Sequence, residues 1–146
     1  MNFQKILIAV DDSANSMNAA RAGFQLAHLL RSKIAVLYVV NKSKEIVNAD
    51  VGITPEQSRM ALLEQAQGTI RQFIKMFDGI DEVIDFTPEG IPEEEILNIA
   101  KEWQADLIVL GTHEKSGIER ILWGSIAGYL IKHAVIPVLV TPPGME

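Results

Sequence analysis

Apolar residues in this chain gather into short runs, and between the runs lie longer stretches whose apolar positions recur every three or four residues. Runs of the first kind read as strands buried on both faces, and stretches of the second kind as amphipathic helices. Lys5 to Val10 predicts the first strand. A helix from about Ser16 to Leu30 follows, with Ala20, Phe24, Ala27 and Leu30 on one face, and Ile34 to Val40 predicts the second strand. After a polar, irregular stretch from Asn41 to Ile53, Thr54-Pro55-Glu56-Gln57 combines an N-cap, a proline at the first helical position and a capping-box partner. That helix is expected to reach Phe77, burying Ala66, Ile70, Phe73, Ile74 and Phe77, and to end at Asp78-Gly79. Glu82 to Thr87 alternates in character, as an edge strand does.

Gly90-Ile91-Pro92 opens a further helix with Glu93, Glu94 and Glu95 in its first turn, where the helix dipole favours acids. Its residues Ile96, Leu97, Ile99, Ala100 and Trp103 are expected to cover the sheet. Asp106 to Val140 then reads as strand (Leu107 to Leu110, closed by Gly111), polar loop, helix opened by Gly124-Ser125, and last strand (Val135 to Val140). Five strands alternating with four helices predict an α/β fold, a doubly wound parallel sheet in one domain spanning residues 1–146.

Composition narrows the function. The 146 residues suffice for one core. With no cysteine there is no disulfide, no thiolate nucleophile and no cysteine-bound metal. The net charge of −6 argues against nucleic-acid binding. The first apolar run meets Asp11 and Asp12 before a signal-peptide core or a membrane span could form, so a cytoplasmic protein without membrane insertion is expected.

Ligands of open α/β sheets bind outside the carboxyl ends of the strands, where Asp11 and Gly111 both fall. A helix beginning at Gly124-Ser125 offers free N–H groups to a phosphate. Bland readings stand beside these: Asp11 and Asp12 can terminate a strand and cap a helix, Ser125 can be a simple N-cap, His113 can be a solvent-facing loop residue, and His28 and His133 read as helix-surface residues. Trp103 and Trp123 read as packing residues. The loop lacks the Gly-Lys-Ser/Thr ending of a P-loop, and His113-Glu114 is not followed by a second histidine at helical spacing.

Gly111, Gly124 and Ser125 keep the spacing of a nucleotide-binding signature, Gly, two residues, Gly, nine residues, Gly, Ser or Thr, with Glu114 in the place of its second glycine. On these residues, and from KILIAVDDS to HAVIPVLV, the chain resembles the universal stress protein (UspA-like) family. The resemblance implies a Rossmann-like sheet of the adenine nucleotide alpha hydrolase type, with strand order 3-2-1-4-5. It implies an ATP or AMP site in which Ala9 and Val10 lie against adenine, Asp11 accepts from the ribose or orients the loop, and Val39 meets the base through its main chain. Gly111 would admit the ligand closely, and Gly124, Ser125 and Ile126 would hold phosphate oxygens, with His113 nearby. A Glu at position 114 would cost roughly 1 to 2 kcal/mol of strain if the family glycine has positive φ. Its charge, about 6 Å from a phosphate, would add roughly 3 kcal/mol of repulsion at an effective dielectric of about 20. A bridging Mg²⁺ would offset part of this. In the family the last strand pairs across a two-fold axis, which implies a homodimer through Pro137 to Thr141.

Three functions follow. One is a non-catalytic adenine-nucleotide binder acting in stress response through an unidentified protein partner. Another is a homodimeric interaction module that has lost ATP binding through Glu114. The third is an enzyme of related fold, for which no base, metal cluster or nucleophile pair stands out; the adenylate-forming relatives want Ser-Gly-Gly after the first strand, where this chain reads Asp11-Asp12-Ser13.

Overall fold

The structure is a computed structural model, which describes residues 2–41, 52–77, 82–112 and 125–143. Its elements run β1 (Lys5–Ala9), α1 (Asn15–Leu30), β2 (Lys33–Leu37), α2 (Pro55–Lys75), β3 (Val83–Phe86), α3 (Pro92–Trp103), β4 (Leu107–Gly111), α4 (Ser125–His133) and β5 (Val138–Thr141). The five strands form one sheet in the order β3-β2-β1-β4-β5, and every pairing is parallel. Alternation along the strands explains why the runs are apolar throughout. Ile6, Ile8 and Val10 face a core shared with Ala20, Phe24 and Ala27 of α1 and Ile70 and Phe73 of α2. Leu7 and Ala9 face the opposite core, with Ile96 and Ala100 of α3 and Ala127 and Leu130 of α4.

Local chemistry sets the element ends. The capping box of α2 is complete: the Gln57 N–H donates to Thr54 Oγ1 at 3.1 Å and the Thr54 N–H to Gln57 Oε1 at 3.0 Å. The helix stops at Lys75, two residues short of Phe77, whose ring still stacks on Phe24 at 4.5 Å between centroids. Asp78 and Gly79, expected as its terminator, lie outside the described residues. Helices α1 and α3 each end on a left-handed residue that is not glycine, Arg31 (φ 56°) and Gln104 (φ 60°). Each turn delivers the chain almost directly into the next strand. At that amino end of the sheet the Asp106 carboxylate accepts from the Gln4 and Lys5 N–H groups at 2.8 and 2.9 Å.

Three further sequence expectations need adjustment. Burial in α1 stops at Ala27, and Leu30, expected inside, is 46% exposed. The ladder of β2 ends at Leu37, although an isolated parallel bridge joins Val40 to Glu89. β5 begins at Val138 rather than Val135, which is 99% exposed. Pro137 has no N–H to give, so the pairing with β4 starts with its carbonyl, which accepts from Ile108 N at 3.1 Å.

Candidate functional site

β1 has β2 on one side and β4 on the other. Its crossover helix α1 packs on one face of the sheet, whereas α4, which follows β4, packs on the other. The connections therefore part between the carboxyl ends of β1 and β4, which opens the crevice of a doubly wound sheet.

The first wall is main chain. Val10 N donates to Leu37 O at 2.9 Å, and no later main-chain rung joins these two segments among the described residues. Tyr38 N and Val40 N continue along β2 by donating to Phe86 O and Pro88 O, at 2.9 and 2.7 Å, and Val40 O accepts from Gly90 N at 3.0 Å. Groups of successive strand residues point to opposite sides. The Val39 N–H and C=O between them are thus turned toward the side that β1 has left, and they form no hydrogen bond among the described residues.

The second wall is the β1–α1 loop. Asp11 Oδ1 accepts from the Ser13 N–H and from Ser16 Oγ, both at 2.8 Å, while the Asp11 N–H donates to Ser16 Oγ at 2.7 Å. Ser16 is buried and closes a ring with Asp11. Asp12 turns the other way. Its carboxylate accepts from the Tyr38 hydroxyl at 2.6 Å and from Gln65 Nε2 and Thr69 Oγ1 on α2. Burial alone would raise the Asp12 pKa, but the hydrogen bonds from Thr69, Tyr38 and Gln65 outweigh it and hold the carboxyl below its ordinary 3.8. The Tyr38 phenol is pushed far above its ordinary 10.0, first by burial and then by its bond to Asp12.

The third wall is the exit of β4. Asn15 Nδ2 donates to the Thr112 carbonyl, and Thr112 N donates to Thr141 O at 3.1 Å. One i,i+3 step along α1, Asn18 Nδ2 reaches the carbonyls of Pro142 and Pro143 at 3.3 and 3.4 Å. The amino-terminal turns of α1 thereby tie down the chain leaving both β4 and β5.

Of the residues singled out in the sequence, Ala9, Val39 and Ile126 share the α3/α4 face, Gly111 ends β4, and Asp11 lies just beyond the end of β1. Val10 belongs to the opposite core. Alternation along the strand thus keeps its side chain off the face that holds Ala9, and its N–H is given to Leu37. His113, Glu114 and Gly124 lie outside the described residues, as does the side chain of Ser125. Tyr38, Gln65, Thr69, Asn15 and Ser16 were not singled out in the sequence. The signals that could have marked them were polar residues at i,i+4 on α2 (Gln65, Thr69) and small polar residues inside the apolar pattern of α1. Trp103 packs as expected, with Phe86 at 6.4 Å between centroids and the Lys5 ammonium over its ring. His28 and His133 are exposed, His133 with its ring 4.3 Å from that of Tyr129. Among the described residues no group of three or more His, Asp or Glu could hold a metal ion, and no helix is long and apolar enough to cross a membrane.

The model of the universal stress protein family matches residues 2–142. The chain belongs to the universal stress protein family. A universal stress protein of Methanocaldococcus jannaschii is 36% identical to this family member, over 94% of the chain and 81% of the relative's own length. The solved structure of a second protein from that archaeon, MJ0577, superposes with a TM-score of 0.83 at 26% identity and covers 100% of both chains. A universal stress protein solved in complex with cAMP has a TM-score of 0.68 at 21% identity, covering 99% of this chain and 100% of its own, and shares the fold.

Proposed function

We propose that this universal stress protein, as a single domain of residues 1–146, binds an adenine nucleotide, ATP or AMP, at the carboxyl ends of β1 and β4. It does no chemistry on the nucleotide, and a protein partner reads the bound state in a stress response. The observation that carries the reading is the Val39 main chain: one donor and one acceptor, side by side, turned toward the crevice and unpaired among the described residues. Adenine presents the complementary pair, N1 as acceptor and N6–H as donor. Ala9 and Ile126 on the same face offer apolar surface to the ring. The solved relative in complex with cAMP binds a ligand that carries the same base.

In this reading Asp11 takes the ribose hydroxyls and Gly111 ends the strand beside them, while the N–H groups of Gly124, Ser125 and Ile126 hold phosphate, with His113 beside them. The absence of chemistry is supported by the state of the two carboxylates. Asp12 spends its carboxylate on Tyr38, Gln65 and Thr69, and Asp11 holds Ser13 and Ser16 and takes the ribose hydroxyls in this reading, whereas a general base must be open to a proton from the reacting group. A homodimer through Pro137 to Thr141 is supported by β5, which among the described residues has β4 as its one neighbour and carries Leu139, 38% exposed. Glu114 in the place of the signature's second glycine favours the alternative, an interaction module without nucleotide.

Isothermal titration with ATP, ADP and AMP, each with and without Mg²⁺, tests the reading on the natural protein and on Glu114→Gly. Micromolar binding by the natural protein is expected, with AMP less penalised than ATP. Binding that appears only after Glu114 is replaced would give the lead to the interaction module.

A further inference from the structure

Two neighbouring pairs of residues border the crevice. Asp11, in the place of the ribose contact, is followed by Asp12, and Val39, in the place of the base contact, is preceded by Tyr38. Beyond the Val10–Leu37 rung the two segments have no main-chain bond to each other among the described residues. They are joined across the mouth by the Tyr38 hydroxyl, which donates to Asp12 Oδ2 at 2.6 Å over a sequence separation of 26 residues. The Tyr38 ring is packed on the α1/α2 core, so its hydroxyl has a fixed origin. The carboxylate is also held by two side chains one turn apart on α2, Gln65 donating to the same Oδ2 and Thr69 to Oδ1. A charged acceptor with three donors from two further elements is stiffer than a neutral pair of side chains.

Building on the nucleotide reading above, we propose that Asp12 and Tyr38 form a positioning strut. It touches neither base nor ribose, but it sets the separation of the Val39 main chain from the Asp11 carboxylate. Base and ribose contacts strengthen each other only while both can be made at once in a rigid frame. The strut therefore confers selectivity for nucleotides that carry ribose hydroxyls. Loss of the Tyr38 hydroxyl leaves the ring packing in place and frees the two walls to drift apart.

The test is titration with AMP and with 2′,3′-dideoxyadenosine monophosphate on the natural protein, Tyr38→Phe and Asp12→Asn, with Thr54→Ala as a control that weakens α2 far from the strut. The natural protein is expected to prefer AMP by at least about tenfold, the lower end for a hydrogen bond to a charged group. Tyr38→Phe and Asp12→Asn should bring that ratio close to one, and Thr54→Ala should leave it unchanged. General structural damage would weaken both ligands in proportion and preserve the ratio. A preference retained in Tyr38→Phe overturns the strut while leaving nucleotide binding intact. A natural protein that binds AMP without preferring it also overturns the strut, and one that binds no adenine nucleotide overturns the proposed function itself.

Discussion

Gly111 at the end of β4 lies so close to Asn15 at the start of α1 that a Cβ on the glycine would sit 2.5 Å from the Asn15 carbonyl oxygen. The obstacle is backbone, which cannot swing away. Gly111 is not among the glycines with positive φ, so contact rather than conformation demands glycine here. Gly111→Ala is expected to destabilise the protein by about 1–3 kcal/mol through overpacking. Thermal unfolding measured without nucleotide checks this. A melting curve unchanged without ligand, together with weakened AMP binding, would instead assign the glycine to the ligand.

Asp12 gives the fold an acid-sensitive joint. Its folded-state pKa lies below its ordinary value, so its contribution is complete above about pH 4 and is lost as the pH falls through the folded-state value. Asp12→Asn should be less stable than the natural protein at pH 7, with the gap closing as the pH falls through the folded-state value. Chemical denaturation at a series of pH values measures both limbs. A gap of constant size would show that the carboxylate's charge contributes nothing.

Tyr38 provides an optical counterpart. Its folded-state pKa is raised above 10.0, so the neutral phenol contributes stability at ordinary pH that is lost only at strongly alkaline pH. The chain has two tyrosines, Tyr38 and Tyr129. Spectrophotometric titration should show the late ionisation of Tyr38 in the natural protein and in Tyr129→Phe, and its loss in Tyr38→Phe.

The capping box at the start of α2 satisfies helix N–H groups that packing cannot reach, since Thr54, Glu56 and Gln57 are all exposed. Thr54→Ala should cost about 1 kcal/mol. Urea denaturation with an unchanged slope and a lowered midpoint is the expected record.

Leu139 lies on β5 at the sheet edge. Leu139→Asp should convert a dimer to monomer in sedimentation equilibrium at micromolar concentration, with little change in the far-ultraviolet circular dichroism. A natural protein that sediments as a monomer would remove the edge-pairing proposal.

Much of this fold was legible because the strands β1, β2 and β4 are buried on both faces, which leaves unbroken apolar runs such as Ile6–Ile8 and Leu107–Leu110. The start of α2 was equally plain, because a capping box is written in four consecutive residues. Hydropathy alone starts the last strand too early, because it registers Val135 and Ile136 but not the missing N–H of Pro137. In the site, residues at strand ends were visible as such. The strut was not, since Asp12 meets Gln65 and Thr69 across 53 and 57 residues and each looks like an ordinary surface side chain alone. The split of Ala9 from Val10 follows from strand alternation and was available from the sequence, but it required knowing which helices cover which face.

The left-handed turns at Arg31 and Gln104 leave only residues 31–32 between α1 and β2 and residues 104–106 between α3 and β4. From the opposite ends of the strands the connections are longer in sequence, residues 38–54 between β2 and α2 and residues 112–124 between β4 and α4. The two rims therefore differ in what descent can do to them. An inserted residue in the tight turns would have to displace a buried strand, whereas the rim around the crevice can lengthen, shorten or change its chemistry while the sheet below keeps its register. Divergence among proteins built this way should accumulate on the side that meets the ligand, and the opposite side should be inherited almost unaltered in length.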